Sequence, residues 1–213
     1  PLHLLRLAAL ARRADLIHAH DGRSHVLAAA AASGRPVVVS RRVMFPVRPW
    51  LYRRAARCIA ISRFVRQVLV ECGVPEEHIA VVYDGVPALN PPARRTRVIA
   101  PASSDPMKGA ALVRQASALA GIPVHYSTDL AGDLAQDAAL LLYVTHSEGL
   151  GSAALLAMSA GVPVVASDVG GLREVVTHEQ DGLLAANSAS AIAAALSRLV
   201  EDGALRARLG EQA

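Results

Sequence analysis

The chain has 213 residues, 53% of them hydrophobic and 19% charged, with a mean hydropathy of +0.32, a composition that packs and that excludes an intrinsically disordered chain. Its apolar runs, such as residues 26–32, fall far short of the roughly 20 residues of a membrane span, and two cysteines, Cys58 and Cys72, make no disulfide framework and read as thiols of a cytosolic protein. The net charge of +4 hides an asymmetry: residues 1–100 carry sixteen arginines against six acids, and residues 101–213 six cations against twelve acids, which points to two domains with different partners.

Taken in chain order, helical spacing begins at once with Leu2, Leu4, Leu5 and Leu7, so an element upstream is expected. Short apolar runs at 15–18, 36–40, 58–61 and 80–83 predict strands, with helices between them at 24–32, 50–56 and 63–71. A stretch with Pro87, Pro91 and Pro92 then suits a linker, placing a first domain at 1–86, the linker at 87–96 and a second domain at 97–213. Beyond it the alternation restarts, with strands at 97–101, 123–127, 139–144 and 163–166 and helices at 109–120, 152–160, 172–176, 189–200 and 204–209. Strands rich in Val and Ile alternating with helices are βαβ units of parallel sheets. Ligands of such sheets sit at the carboxyl ends of the strands, so a cleft between two facing domains is expected.

The stretch His146-Ser147-Glu148-Gly149-Leu150-Gly151-Ser152 follows a predicted strand and opens a predicted helix. Its glycines admit a ligand close to the backbone, the helix N-terminus suits a diphosphate, and Glu148 can accept hydrogen bonds from sugar hydroxyls. A plain Gly-rich turn capped by Ser152 accounts for the same residues. A second strand–turn–helix carries Gly170 and Gly171, whose spacing differs from the dinucleotide fingerprint. Lys108 is the sole lysine among 22 cationic residues and stands just ahead of a helix, where a compact point charge suits phosphate. In the first half, His18 and His20 follow one another at i, i+2 on a strand and its end. With no third ligand evident, one reads as packed and the other as facing the cleft. Between Arg41 and Arg66 lie eight arginines and no acid, interleaved with Phe45, Trp50, Tyr52 and Phe64.

The combination of Glu148-Gly149-Leu150-Gly151, Met158-Ser159-Ala160-Gly161-Val162-Pro163, Gly170-Gly171-Leu172-Arg173-Glu174 and Asp181-Gly182-Leu183-Leu184, with Ile17-His18-Ala19-His20, Ile61-Ser62-Arg63 and Val82-Tyr83-Asp84-Gly85-Val86 upstream, resembles the glycosyltransferase group 1 enzymes of family four over nearly the whole chain. The resemblance implies an α/β fold of the GT-B type: two facing Rossmann-like domains with parallel sheets, the first incomplete and the second shortened by one βα unit. It implies a retaining sugar transfer from a nucleotide-diphosphate sugar, with neither metal nor cofactor. By position, Lys108 would bind the donor diphosphate and Glu148 would lie near the donor sugar. Gly149, Leu150, Gly151, Ser152, Ala153, Gly170 and Gly171 would line the donor site, and His20 would stand in the catalytic cleft. Two positions depart from the family: Leu156 stands where a second glutamate usually meets ribose, and Ser103 where an arginine usually meets phosphate. The family's Gly-rich loop of the first strand and its crossing terminal helix have no counterpart here.

The expected partners are therefore a nucleotide-sugar donor and a glycan or lipid-linked acceptor. Arg41, Arg42, Arg53, Arg54 and Arg57 are expected on an acceptor or membrane face, of a cytoplasmic enzyme peripheral on the inner membrane surface; a merely solvated basic face is the simpler account. A catalytically lapsed nucleotide-sugar-binding subunit is the alternative that Leu156 and Ser103 keep open. A nucleic-acid-binding protein leaves the donor-side motifs unexplained and is not expected.

Overall fold

The structure is a computed structural model and describes residues 2–43 and 47–213. Phe45, one of the aromatics of the basic stretch, lies outside the described residues. The chain divides into two compact units, residues 1–84 and 85–213.

In the first unit, α1 (Leu2–Ala11) leads to a four-stranded parallel sheet in the order β1-β2-β3-β4, formed by β1 (Ile17–Ala19), β2 (Val37–Arg41), β3 (Arg57–Ala60) and β4 (Ile79–Val81). The intervening helices are α2 (Gly22–Ala31), α3 (Pro49–Tyr52) and α4 (Arg63–Glu71). Each longer helix starts on a side-chain cap: Asp21 receives the amides of Arg23 and Ser24, and Ser62 receives that of Val65. These caps satisfy N–H groups that a helix start leaves unpaired. The helix expected over 50–56 is shorter. It ends at Tyr52 because the chain is pulled into sheet pairing, with the Ala56 amide donating to the Val37 carbonyl at 2.7 Å.

The second unit carries a five-stranded parallel sheet of β5 (Val98–Pro101), β6 (Val124–Ser127), β7 (Leu140–Tyr143), β8 (Val164–Ser167) and β9 (Gly182–Ala185), in the order β6-β5-β7-β8-β9. Its helices are α5 (Ala110–Ala120), α6 (Leu130–Asp137), α7 (Ser152–Ser159), α8 (Leu172–Val175), α9 (Ala189–Glu201) and α10 (Gly203–Gln212). Two cores follow from the period of the strands. Leu140 and Leu142 of β7 point to one face with Val113, Ala116, Leu196 and Leu199 of α5 and α9. Leu141 and Tyr143 point to the other, with Leu134, Ala154, Ala157 and Leu172 of α6, α7 and α8. Helices thus cover both faces of the sheet, and the strand order reverses between β5 and β7, the kind of position where open α/β sheets place their ligands.

Helix α6 and strand β9 were not expected from the sequence. Residues 85–97 belong to the second unit and are not a free linker: Leu89 packs on the α6–α8 core, and the Pro87 carbonyl accepts from the Ser159 hydroxyl at 3.3 Å. Among the described residues no helix is long and apolar enough to cross a membrane.

Candidate functional site

At the carboxyl ends of β5 and β7, Lys108 and Glu148 are brought together. Lys108 Nζ lies 2.9 Å from Glu148 Oε2. The same oxygen accepts the Tyr143 hydroxyl at 2.5 Å, and Oε1 accepts the Gly149 amide at 3.1 Å. Burial first, then the Glu148 charge and the hydrogen bond to it, push the Tyr143 phenol far above its usual range. It therefore stays protonated and remains a donor to the carboxylate.

Lys108 borders a cavity of about 230 Å3 that is also lined by Ser103, Ala110, Tyr126, Tyr143 and Ala153. Two helices begin on its wall, α5 at Ala110 and α7 just ahead of Ala153. Their N-caps are Gly109 and Gly151, both left-handed (φ +63° and +110°), and no side chain caps either helix. Their first-turn N–H groups are therefore left for a ligand, and both positive dipole ends and the Lys108 ammonium converge on one space. Ser152 is not the cap of α7; Gly151 is. Both glycines are also demanded by packing. A Cβ on Gly109 would come within 2.7 Å of the Val144 carbonyl, and one on Gly151 within 2.5 Å of Leu172 Cδ2.

In the second glycine pair, Gly171 packs on the Glu148 loop. Gly171 donates its amide to the Glu148 carbonyl at 3.0 Å, and a Cβ there would sit 2.0 Å from the Gly149 carbonyl oxygen. Its smallness lets the β8–α8 turn lie directly on the Glu148 loop. Leu150 is 1% exposed, so its side chain anchors the loop in the core. Leu156 is half-buried against the α6–α8 core, and Ser103 lies on the cavity wall with its hydroxyl accepting the Asp105 amide.

A polar network that sequence reasoning missed fixes the two loops. The buried Thr145 hydroxyl donates between the Met107 and Ser147 carbonyls (3.1 and 2.9 Å), and the Thr145 amide donates to Ser167 Oγ at 2.9 Å. Ser167 in turn bonds Asn187 Oδ1 at 2.6 Å, and Asn187 Nδ2 returns to the Thr145 carbonyl at 2.9 Å. The His146 amide also holds the Met107 carbonyl, at 2.8 Å. Lys108 and Glu148 are thus carried by one hydrogen-bonded frame. The available signal was a buried hydroxyl at the end of each of two adjacent strands.

In the first unit the two histidines are both exposed, their rings 4.1 Å apart. The expectation that one would be packed is corrected: the packed histidine is His25, 1% exposed. His18 Nε2 meets Ser40 Oγ at 2.8 Å, and burial, His20 and Arg42 lower its pKa. His20 stands just past the carboxyl end of β1.

The arginines do not form one open face. Arg41 is 7% exposed at the end of β2, a correction to its expected place on a surface. Arg42 pairs with Asp84. Arg53 donates twice to the Gly73 carbonyl, at 3.1 and 3.0 Å. Arg57 donates to the Glu77 carbonyl at 2.5 Å, and Arg54 lies 5.6 Å over the Trp50 ring. Tyr52, interleaved with these arginines in the sequence, is 2% exposed. Among the described residues no cluster of three or more His, Cys, Asp or Glu could hold a metal ion.

Comparison with known proteins bears on both units. Residues 124–213 match the family model of glycosyl transferases group 1, and residues 1–88 that of glycosyltransferase family 4. The chain thus matches glycosyltransferase family models over both units, group 1 in the second and family 4 in the first. Its fold is accordingly of the GT-B type, an α/β architecture of two parallel-sheet units. HepE of Anabaena, solved in complex with UDP and glucose, is similar with a TM-score of 0.86 at 20% identity, over 98% of this chain and 74% of that one. Sucrose-phosphate synthase of Thermosynechococcus elongatus is similar with a TM-score of 0.78 at 18% identity, over 94% and 68%. An exopolysaccharide phosphotransferase of Streptomyces coelicolor is 34% identical over 114 residues, 49% of this chain and 12% of the relative, so the chain spans about an eighth of that protein's length.

Proposed function

We propose that this chain moves a hexose from a nucleotide-diphosphate sugar to a glycan or lipid-linked acceptor, with retention of configuration and without metal or cofactor. One observation carries this reading. Two uncapped helix N-termini and the chain's only lysine border a single cavity at the point where the strand order reverses. That arrangement suits a diphosphate. Glu148, held beside Lys108, would accept hydroxyl hydrogen bonds from the donor sugar. Gly149, Gly151 and the amides of Ser152 and Ala153 would receive sugar and phosphate, and His20 would serve on the acceptor side. The complex of HepE with UDP and glucose is in keeping with such a donor.

The test is calorimetry with UDP and UDP-glucose on the full-length protein. Lys108→Ala should weaken donor binding by about 1.5–3 kcal/mol, the range for hydrogen bonds to charged groups, and Lys108→Arg should restore it only in part. Unchanged affinity in Lys108→Ala removes the lysine from the site. NMR of the product's anomeric proton and activity in a chelator would check retention and metal independence.

A second reading, a nucleotide-sugar-binding subunit without transfer, is favoured by Leu156. That side chain is packed on the core where a ribose-binding carboxylate is usual. Donor hydrolysis by the full-length protein separates the two readings. The same proposal places the enzyme in the cytoplasm, peripheral on the inner face of the membrane, through its arginine-rich first unit. Each basic residue near an anionic surface adds about 1 kcal/mol. Sedimentation with anionic vesicles should therefore retain the protein at low salt and release it at high salt.

A further inference from the structure

A concavity of the first unit lies away from the residues assigned to sugar transfer. It is a cavity of about 450 Å3 at the amino-terminal ends of β2 and β3, with Pro36, Val37, Ala55 and Ala56 on its floor. Its wall includes Ala30 of α2 and Trp50 of α3, and three arginines, Arg35, Arg48 and Arg54, stand around it with no Asp or Glu among the lining residues. His20, Ser40 and Arg42 belong to the opposite, carboxyl edge of the same sheet.

Two features distinguish this cavity from a gap in packing. Its size lies within the roughly 300–1,000 Å3 of small-molecule pockets. Its cations are also unbalanced: Arg35, Arg48 and Arg54 form no ion pair among the described residues. The buried His25 closes part of the wall, its ring packed edge-to-face with Tyr52 at 4.7 Å between centroids.

An apolar floor and three arginines that form no ion pair among the described residues call for a ligand that is apolar at one end and anionic at the other. We infer that this cavity takes the phosphate head and adjoining methylenes of an anionic phospholipid. Arg48 and Arg54 would meet the phosphate, with Trp50 and Ala30 along the chain. The inference refines the membrane part of the proposed function, replacing a diffuse basic face by a defined seat, and it uses no residue of the donor site.

Trp50 is the only tryptophan of the chain, and Arg54 lies over its ring. Drawing the guanidinium toward a phosphate and covering the indole with methylenes changes the emission of that one fluorophore. The experiment titrates the protein with dihexanoyl phosphatidic acid below its micellar concentration and follows tryptophan emission. Dihexanoyl phosphatidylcholine and inorganic phosphate serve as separate probes. A saturable blue shift with the phosphatidic acid alone is expected. Arg48→Gln with Arg54→Gln should weaken it at least tenfold. Ala30→Phe, an exposed position that fills the cavity without altering charge, should abolish it while the melting temperature is kept.

An equal response to the phosphatidylcholine overturns the anionic head, and an equal response to inorganic phosphate overturns the apolar seat. A response that survives Ala30→Phe shows adsorption elsewhere and overturns the site. The readout involves neither donor nor transfer, so failure here leaves the transferase reading standing. UDP-glucose binding measured on the same samples reports separately on that reading.

Discussion

Tyr143 Oη donates to Glu148 Oε2 at 2.5 Å, on the oxygen that also receives Lys108 Nζ. A nearly buried phenol at the end of β7 therefore sets the carboxylate that would face a donor sugar. Tyr143→Phe removes one hydrogen bond to a charged group and keeps the ring in its core. Stability should fall by about 1–2 kcal/mol, and affinity for the sugar nucleotide by about threefold to tenfold, equivalent to about 1 kcal/mol. UDP affinity should change little. Calorimetry with UDP and UDP-glucose checks this, and equal losses for both would show that the phenol acts on the fold alone.

Glu148→Gln separates phosphate recognition from sugar recognition. The Lys108–Glu148 pair is partly exposed, with side-chain exposures of 40% and 15%, so breaking it costs under about 1 kcal/mol. The carboxylate also adds a negative charge beside the proposed diphosphate seat. UDP should bind as well as before or up to about fivefold tighter, whereas the extra affinity conferred by the glucose moiety should disappear. A variant that loses UDP binding as well would place Glu148 elsewhere in the mechanism.

Leu156→Glu tests whether a ribose-binding carboxylate can simply be restored. Leu156 is packed against the core formed by α6, α7 and α8, so the introduced charge must be buried or must disturb the first turns of α7. The melting temperature should fall by several degrees, corresponding to about 1–3 kcal/mol, with no added stabilisation by UDP. Thermal melts with and without UDP give the answer; a UDP-dependent gain larger than that of the wild type would show that the side chain reaches the ribose.

Gly171→Ala isolates the cost of pushing two loops apart. The backbone at Gly171 has φ −68°, which alanine adopts freely, so only the clash with the Gly149 carbonyl at 2.0 Å opposes the substitution. Overpacking of this kind costs about 1–3 kcal/mol. The Glu148 loop is displaced with it, so UDP-glucose affinity should fall more than in a variant of equal stability altered in α9, such as Leu199→Ala. Chemical denaturation and calorimetry on both proteins make the comparison.

The two thiols should behave unequally. Cys58 is fully buried in β3, and burial pushes its thiol up to about 11. Its protonated form therefore prevails at every pH below that value, and the reactive thiolate is scarce at pH 8. Cys72 is half-buried at the end of α4. A chromogenic disulfide reagent at pH 8 should label one thiol per chain quickly and the second only when denaturant is added. Rapid labelling of both would show that the first sheet opens readily.

Much of this architecture was legible in the order of residues. Helix α4 was found at its full extent because Ser62 caps it and Val65 and Leu69 repeat at helical spacing on its buried side. Helix α6 escaped because it carries Gly132 and two aspartates and fully buries only Leu134. Strand β9 escaped because it opens on the glycine of the Asp181-Gly182 pair, which reads as a turn; a Cβ at Gly182 would meet the Val164 carbonyl at 2.8 Å. Lys108 and Glu148 could be singled out by residue type. Tyr143 could not, since in an apolar strand its ring reads as core and its hydroxyl partner comes five residues later around a turn. The partners of the arginine run were illegible for a related reason: the carbonyls of Gly73 and Glu77 and the carboxylate of Asp84, which hold Arg53, Arg57 and Arg42, lie outside the run.

The seating of Gly171 on Gly149 has a consequence for how these proteins can be recombined. Two turns separated by a whole helix and strand share one surface with no room between them, so neither can be exchanged as an independent cassette. A chimera that imports the Glu148 loop from a relative should fold well only if it imports the following β8–α8 turn too. The natural unit of exchange in this half of the molecule is therefore β7 through α8 taken whole.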